Sequence, residues 1–224
     1  MPAEMMPHSL PFRDADWQRA RLDQFAAEMQ QRRTIRHFSD RPVQRDVIER
    51  ILAIAHGAPS GANRKPWRFV AVDDPTMKRE IRIAAEKEER ENYERRFPDE
   101  WLAALEPFGT NWEKPYLEIA PCLVVLFRVD WEEIDGKHVK NYYPIESTGL
   151  AAGFFITACH LAGLATLTHT PNPMEFLREI CRRPKNEKPY LLMPIGYPAD
   201  DCQVPKLQKL PLAARLQWNR EGVI

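Results

Sequence analysis

The sequence predicts an α/β or α+β domain in which an internal sheet is covered by helices. Stretches with strand composition occur near residues 67–72, 121–129, 164–170 and 190–197, separated by stretches with helical spacing of apolar residues. The run 121–127 is continuously apolar, which is typical of a central strand. The chain has 224 residues, of which 44% are hydrophobic, so it can bury a large core.

The helices are predicted from the spacing of apolar residues between these strands. They are expected from Asp14 into the arginines at 32–36, over 43–57, over 146–164 and over 174–181. The third is nearly long enough to span a membrane, but it contains Glu146 and His160, so we interpret it as a buried core helix. Its alanines and glycines would allow close helix packing, including across a dimer. The charged residues 128–141 are expected to form a loop.

One domain with two polar ends is expected. Residues 1–13 are polar and proline-punctuated and are predicted to be disordered, whereas residues 14–224 are predicted to form a single domain. The tail 198–224 is too polar for a core, and we expect it to run over a surface, its own or that of a partner. The N-terminus lacks a signal peptide, and no apolar run approaches the ~20 residues of a spanning helix, so a cytoplasmic location is expected.

Charge and cysteine usage exclude several classes of function. Lysine plus arginine equals aspartate plus glutamate at 32 each, which argues against nucleic acid as the main partner. The four cysteines are far apart, with no Cys-x-x-Cys motif, and reduced thiols are expected. The six histidines are dispersed, and none has zinc-site spacing to a cysteine. We predict no metal site.

Three arginines within five residues form the most distinctive local pattern, which we call the arginine segment (residues 32–36). Arg32, Arg33 and Arg36 surround Thr34 and Ile35. Guanidinium groups are planar, permanently charged and bidentate, and therefore suit a phosphate. If the preceding helix continued this far, Arg32 and Arg36 would share one face. The alternative is a solvated basic helix end, which the helix dipole favours.

Two further segments each allow a functional and a structural interpretation. The small residues 58–63 would let backbone amides approach a ligand, but they also suit an ordinary turn before a strand. Between residues 86 and 100, eleven of fifteen residues are charged, with Tyr93 and Phe97 among them. This composition favours a solvated surface helix, and the alternative is a mobile lid over a ligand, spanning about residues 86–112.

Taken together, these motifs resemble a known family. An Arg-Arg-Thr-x-Arg segment followed by Ala-Pro-Ser-Gly-Ala and Pro-Trp is similar to the nitroreductase family, whose members are FMN-binding homodimers. Glu-x-x-x-Tyr at Glu89, Asn-Trp-x-Lys ending at Lys114, and Thr-His-Thr-Pro from Thr168 narrow the resemblance to the iodotyrosine deiodinases, in a shorter bacterial form without a membrane anchor. The resemblance covers about residues 32–209.

The resemblance implies a fold and a set of site residues. The fold would be a central mixed sheet flanked by helices in a domain-swapped homodimer, with the 198–224 tail over the partner subunit. The residues implied to bind FMN are Arg32, Arg33, Thr34, Ile35, Arg36, Ser60, Gly61, Thr168, His169, Thr170 and Lys209, with Ser60 and Gly61 coming from the other subunit. The residues implied to bind substrate are Ala62, Glu89, Tyr93 and Lys114. Thr170 is our choice for the catalytic hydroxyl that hydrogen-bonds flavin N5.

The implied activity is FMN-dependent reductive dehalogenation of 3-iodotyrosine and other halotyrosines to tyrosine and halide. NAD(P)H would supply electrons through the flavin, and a separate flavin reductase is a candidate partner for that step. Glu89 suits the ammonium group of an amino acid, while Lys114 and the Tyr93 hydroxyl suit its carboxylate. Three alternatives remain: an NAD(P)H-dependent nitro- or quinone reductase of the same fold, a tyrosine-binding flavoprotein without turnover, and a domain with no cofactor.

Overall fold

A four-stranded antiparallel sheet forms the centre of the protein, seen in a computed structural model that describes residues 4–219. The strands are β1 (Trp67–Val72), β2 (Cys122–Val129), β3 (Trp131–Ile134), β4 (Lys137–Lys140), β5 (Ala165–Thr166) and β6 (Glu187–Gly196). The main sheet has the order β1-β2-β6-β5, and β3 pairs with β4 as a separate hairpin. All named strand pairs are antiparallel, and a parallel bridge from Thr34 to Thr166 adds the mixed character at one edge. The predicted α+β class is confirmed.

Helices cover both faces of this sheet. They are α1 (Ala15–Gln31), α2 (Arg45–His56), α3 (Pro75–Glu91), α4 (Asp99–Leu105), α5 (Tyr116–Ile119), α6 (Pro144–Leu161) and α7 (Glu175–Ile180). Local signals start two of them: Asp14 accepts a hydrogen bond from the Trp17 amide at 2.8 Å, and Asp74 accepts one from the Met77 amide at 2.7 Å. Proline in the first turn also favours the start of α3.

Strand β2 divides the core into two halves, as its continuous apolar sequence predicts. Val124 and Leu126 face a cluster that includes α2 and α6, whereas Leu123, Val125 and Phe127 face a cluster that includes α3, α5 and α7. All five side chains are fully buried, because β2 lies between β1 and β6 and has helices on both faces.

The first helix ends before the arginine segment, so the shared helical face considered for Arg32 and Arg36 does not exist. Helix α1 ends at Gln31, and Arg32 has extended dihedral angles of φ −62° and ψ 125°. The following backbone joins the sheet edge, where Thr34 bridges Thr166 and the Ile35 amide donates to the Thr166 carbonyl at 3.4 Å. This pairing requires an extended chain, which a helix cannot provide.

Two other expectations about strands were wrong. The segment 128–141 is a hairpin and not a loop, because Asp135 and Gly136 take φ of 51° and 72°, the left-handed conformation of a tight hairpin turn. The strand expected over 164–170 is reduced to two residues. In the register of β5 against β6, Leu167 lies opposite Pro194, which has no N–H to donate, and pairing returns only at His169.

The cysteines of the described residues are free thiols. Cys122 and Cys159 are buried, and burial raises the pKa of the Cys122 thiol to about 11, which keeps it protonated and unreactive. Within residues 4–219, none of the helices combines the length and apolar character needed to cross a bilayer, and no cluster of His, Cys, Asp and Glu is placed to hold a metal ion. Residues 1–3 and 220–224, the outer ends of the predicted polar segments, lie outside the described residues.

Candidate active site

The arginine segment lines a cavity of about 680 Å³ in which every charged side chain from the described residues is cationic. Its positive lining comes from Arg32, Arg33, Arg36 and Lys209, with Thr34 between them, and no carboxylate of residues 4–219 contributes to its wall. Ile35 is buried in the core, so only its backbone can face a ligand. Clustered guanidinium groups without a compensating acid are suited to a phosphate group.

Lys209 reaches this cavity because the tail folds back against its own chain. Pro198 bridges to Phe38, Val204 packs on the core half that contains α3, and the Arg33 guanidinium donates to the Pro205 carbonyl. These contacts bring a lysine that is 173 positions from Arg36 to the same wall. The structure therefore brings together five of the residues predicted for FMN.

A second charged group lies nearby and is almost completely buried. The Lys114 Nζ atom is 3.4 Å from Glu89 Oε2, and the two residues are only 4% and 7% exposed. Lys114 also donates to the Asn111 carbonyl and lies 5.3 Å from the centre of the Tyr93 ring. Burial raises the pKa of Glu89 and lowers that of Lys114, while each partner partly offsets the shift of the other.

Helix α3 directs Glu89 inwards because of its sequence spacing. Ile81 and Ala85 are fully buried, and Glu89 continues the same i, i+4 row. After α3 the chain makes a π-helical turn over Asn92–Arg96 that carries Tyr93, whose hydroxyl hydrogen-bonds the Thr110 hydroxyl. Such turns often occur at functional sites. Glu89, Tyr93 and Lys114, predicted as a set, are therefore in mutual contact or close to it.

Arg36 connects the cationic cavity to this buried group. A smaller cavity of about 220 Å³ is lined by Arg36, Thr110, Asn111, Lys114 and Tyr116, among others. Arg36 therefore borders both cavities. An anion held by the arginine segment and an amino acid held by Glu89 and Lys114 would be neighbours.

Successive side chains of the segment Thr168–Thr170 lie on opposite sides of the backbone at the sheet edge. Thr168 and Thr170 are exposed, whereas the His169 imidazole is buried, with Nδ1 3.4 Å from the Tyr116 hydroxyl. Burial and the cations Lys114 and Arg36 lower the pKa of His169 to about 3, so the ring is neutral. Its Nε2 atom has no hydrogen-bond partner among the described residues. A ligand on the threonine side would meet only the backbone of His169.

Ser60, Gly61 and Ala62 are not brought to the arginine segment of the same chain. They precede Trp67 of β1, which pairs with Arg128 near the end of β2. Thr34 instead bridges Thr166 of β5. Thr166 pairs with Ile195 of β6, which in turn pairs with Cys122 at the start of β2. Four strand spacings separate β1 from the Thr34 backbone by about 19 Å, and six residues along β2 add about 20 Å in the other direction. Gly61 is required sterically, because a Cβ there would lie 2.9 Å from the Tyr142 carbonyl.

Reasoning from the sequence missed two side chains at this site. Thr110 holds the Tyr93 hydroxyl, and Tyr116 packs edge-on against His169 with ring centres 5.9 Å apart. Thr110 precedes the Asn-Trp-x-Lys motif that contains Asn111 and Lys114, so a closer reading of its flank could have included it. Tyr116 gives no such signal, because it lies in a short, largely apolar helical segment.

Comparison with known proteins defines the class of protein. The sequence model of the nitroreductase family matches residues 29–197 of this chain. The chain also resembles the crystal structure of a nitroreductase with bound FMN from Bacteroides fragilis NCTC 9343, with a TM-score of 0.66 at 19% identity, covering 88% of this chain and 98% of that one. The chain therefore belongs to the nitroreductase family.

An iodotyrosine deiodinase from Haliscomenobacter hydrossis is 50% identical over 93% of this chain and 96% of its own length. Iodotyrosine deiodinase 1 from Homo sapiens is 39% identical, covering 86% of this chain and 67% of the human protein. A crystal structure of oxidised iodotyrosine deiodinase bound to FMN and 3-iodo-L-tyrosine has a TM-score of 0.74 at 27% identity, covering 87% of this chain and 98% of that one. Within the nitroreductase family, the chain belongs to the iodotyrosine deiodinases.

Proposed function

We propose that the protein catalyses the FMN-dependent reductive dehalogenation of 3-iodotyrosine and other halotyrosines, giving tyrosine and halide with electrons from NAD(P)H. The observation that carries this proposal is the buried Glu89–Lys114 pair beside Arg36. An amino-acid zwitterion offers one charge to each member of the pair. A simple nitroaromatic or quinone offers neither, so a general reductase would have no use for two buried opposite charges here.

The residues present fit FMN. The 680 Å³ cavity offers three guanidinium groups, the Lys209 ammonium group and the Thr34 hydroxyl, and the part of the chain that the structure describes adds no acid there that would repel a phosphate. Arg32, Arg33, Thr34, Arg36 and Lys209 would hold the phosphate and ribityl chain, with the Ile35 backbone beside them. Thr168, Thr170 and the His169 backbone would border the isoalloxazine ring.

Substrate binding would exchange internal contacts for contacts with the zwitterion. Glu89 would accept from the substrate ammonium group, and Lys114 and the Tyr93 hydroxyl would donate to its carboxylate, while the Ala62 amide would donate to the phenolate oxygen. Both charges are already desolvated, so their interactions with a bound zwitterion are stronger than in water. The segment 86–112 would act as a lid that closes over the substrate and excludes water from the reacting centre.

In the chemical step, bound reduced FMN supplies two electrons, so that the carbon–halogen bond breaks, halide leaves and the ring carbon gains a proton. The chain's own contribution is position and electrostatics. The Thr170 hydroxyl, exposed and without a side-chain partner in residues 4–219, would hydrogen-bond flavin N5. The neutral His169 ring would hold Tyr116 in place through the contact between its Nδ1 atom and the Tyr116 hydroxyl, without adding a charge to the site.

A homodimer with a shared site is part of this proposal. Ser60 and Gly61 lie at the corner of the sheet opposite the arginine segment, which supports their reaching the flavin of the partner subunit. Exposed apolar side chains on α2 and α6, including Ile54, Phe154 and Leu161, line a groove of about 530 Å³ that suits a subunit interface. The proposal also includes a single domain of residues 14–224 and a cytoplasmic location. Since Pro198, Val204 and Pro205 contact their own chain, we expect only the part of the 198–224 tail beyond Lys209 to lie over the partner subunit.

Product analysis tests the activity. FMN-loaded protein, NAD(P)H and 3-iodotyrosine are incubated together, and tyrosine is measured by chromatography alongside free iodide. We expect equal amounts of tyrosine and iodide. A protein that reduces a nitroaromatic under these conditions but releases no iodide would be a general nitroreductase, and one that binds 3-iodotyrosine without any turnover would be a sensor.

A further inference from the structure

The loop that precedes β1 is held in an uncommon backbone conformation. Ala62, Asn63 and Lys65 have φ of 48°, 53° and 47°, all in the left-handed region. Asparagine tolerates this region, whereas alanine and lysine rarely adopt it, because their Cβ atoms crowd the backbone. Such a conformation persists where surrounding contacts hold it, and it is found preferentially at functional sites.

Arg64 supplies contacts that hold the loop. Its Nε donates to the Asn141 side-chain oxygen at 3.0 Å, and a terminal guanidinium nitrogen donates to the Glu132 carboxylate at 2.9 Å. Asn141 is itself fixed, since it is buried and its side-chain amide donates to the Val129 carbonyl at 2.9 Å. Arg64 therefore ties the loop to the end of β2 and to the β3–β4 hairpin.

Within residues 61–65 of this loop, the Ala62 amide is the one without a hydrogen-bond partner among the described residues 4–219. The amides of the other four residues in 61–65 are bonded: Gly61 to the Ser147 hydroxyl, Asn63 to the Ser60 carbonyl, Arg64 to the Gly61 carbonyl and Lys65 to the Ser60 hydroxyl, at 2.9–3.3 Å. Ala62 is exposed, so its amide is open to a ligand. A free N–H on a fixed loop is a preorganised donor for an anionic oxygen.

We propose that Arg64 is a positioning residue that fixes the Ala62 amide for the phenolate oxygen of a halotyrosine, and thereby favours substrates that carry a phenol. This inference rests on the proposed function, in which the Ala62 amide binds that oxygen. Arg64 touches neither substrate nor flavin and acts through the loop backbone. Because the loop lies at the far corner of the sheet, the affected site is the one on the partner subunit's flavin.

Two ligands that differ only in the phenol hydroxyl test this role. Dissociation constants of 3-iodotyrosine and 3-iodophenylalanine are measured from the change in flavin absorbance with FMN-loaded parent, Arg64→Ala and Glu132→Gln. For Arg64→Ala we expect the constant for 3-iodotyrosine to rise by about tenfold or more, the scale of one hydrogen bond to a charged group. The constant for 3-iodophenylalanine should stay within about twofold, because its zwitterion contacts are separate.

The chain offers a matched control on the same hairpin. Glu133 follows Glu132, is exposed and forms no ion pair with Arg64, so Glu133→Gln should bind both ligands like the parent. Glu132→Gln should shift 3-iodotyrosine binding in the direction of Arg64→Ala by a smaller factor, because Asn141 still accepts from Arg64.

Each other outcome has a definite meaning. Equal weakening of both ligands, or loss of FMN, in Arg64→Ala and Glu132→Gln would overturn the inference, because Arg64 would then support the fold in general. Unchanged 3-iodotyrosine binding in Arg64→Ala would overturn it as well and leave the proposed function intact. A parent protein that binds no 3-iodotyrosine would refute the proposed function, and this inference with it.

Discussion

Replacing the Glu89 carboxylate separates a halotyrosine dehalogenase from a general flavin reductase. In Glu89→Gln the side chain keeps its size and its place on α3 but loses the charge that would meet the substrate ammonium group. Glu89 is 7% exposed and lies 3.4 Å from Lys114, so the lost interaction is a desolvated one. Removing one partner of such a contact costs about 2–5 kcal/mol, and the lower value corresponds to roughly 30-fold in kcat/KM.

The assay compares two substrates on the same FMN-loaded variant. We expect kcat/KM for 3-iodotyrosine to fall by roughly 30-fold or more in Glu89→Gln, while reduction of a small nitroaromatic is retained. Glu80→Gln is the matched control, because Glu80 lies on the same helix but is exposed to solvent. Substrate should also protect the 86–112 backbone from proteolysis in the parent and in Glu80→Gln, but not in Glu89→Gln.

Two results would refute this reasoning. If both activities fall together, Glu89 supports the flavin site or the fold, and the measured FMN content will show which. If neither activity falls, the buried pair does not bind a zwitterion, and the nitroreductase interpretation takes over.

Other residues give further expectations. Arg36→Ala should weaken FMN binding by more than about tenfold, because it loses a charged hydrogen-bond donor; unchanged affinity in equilibrium dialysis would rule out its role. Truncation after Pro198 removes Lys209 and should loosen the dimer and release flavin, whereas light scattering showing a flavin-loaded monomer for the full chain would refute the shared site. Burial lowers the pKa of His169 to about 3. Between pH 6.5 and 3 the unfolded state therefore binds one more proton than the folded state, and the free energy of unfolding decreases as the pH is lowered. Urea unfolding of His169→Asn should show a shallower loss over that range than the parent, and equal slopes would contradict the buried neutral ring.

Sequence reasoning succeeded where local patterns and tertiary demands agree. The apolar run of β2 required burial on both faces, and the structure provides it. The i, i+4 row from Ile81 through Ala85 explains why Glu89 points inwards from a helix whose composition favoured a solvated surface. The spacing of this row is present in the sequence, but the many charged residues around Glu89 favoured the interpretation of a solvated surface helix.

The failures arose from long-range pairing and from one overlooked turn signal. Asp135-Gly136 is a hairpin signal that the surrounding charges hid. The shortness of β5 depends on Pro194 lying opposite Leu167, which requires the strand register and not only the strand sequence. Lys209 reaches the arginine segment only through tail contacts far along the chain, so the family resemblance, and no local pattern, pointed to it.

A single anaerobic turnover tests the central claim most directly. FMN-loaded protein is reduced with dithionite, freed of excess reductant and mixed with 3-iodotyrosine, while flavin absorbance and free iodide are followed together. The proposed function predicts that the oxidised flavin spectrum returns as iodide appears, with one iodide and one tyrosine formed per flavin. Flavin that stays reduced with 3-iodotyrosine, yet is oxidised at once by a nitroaromatic, would contradict the claim.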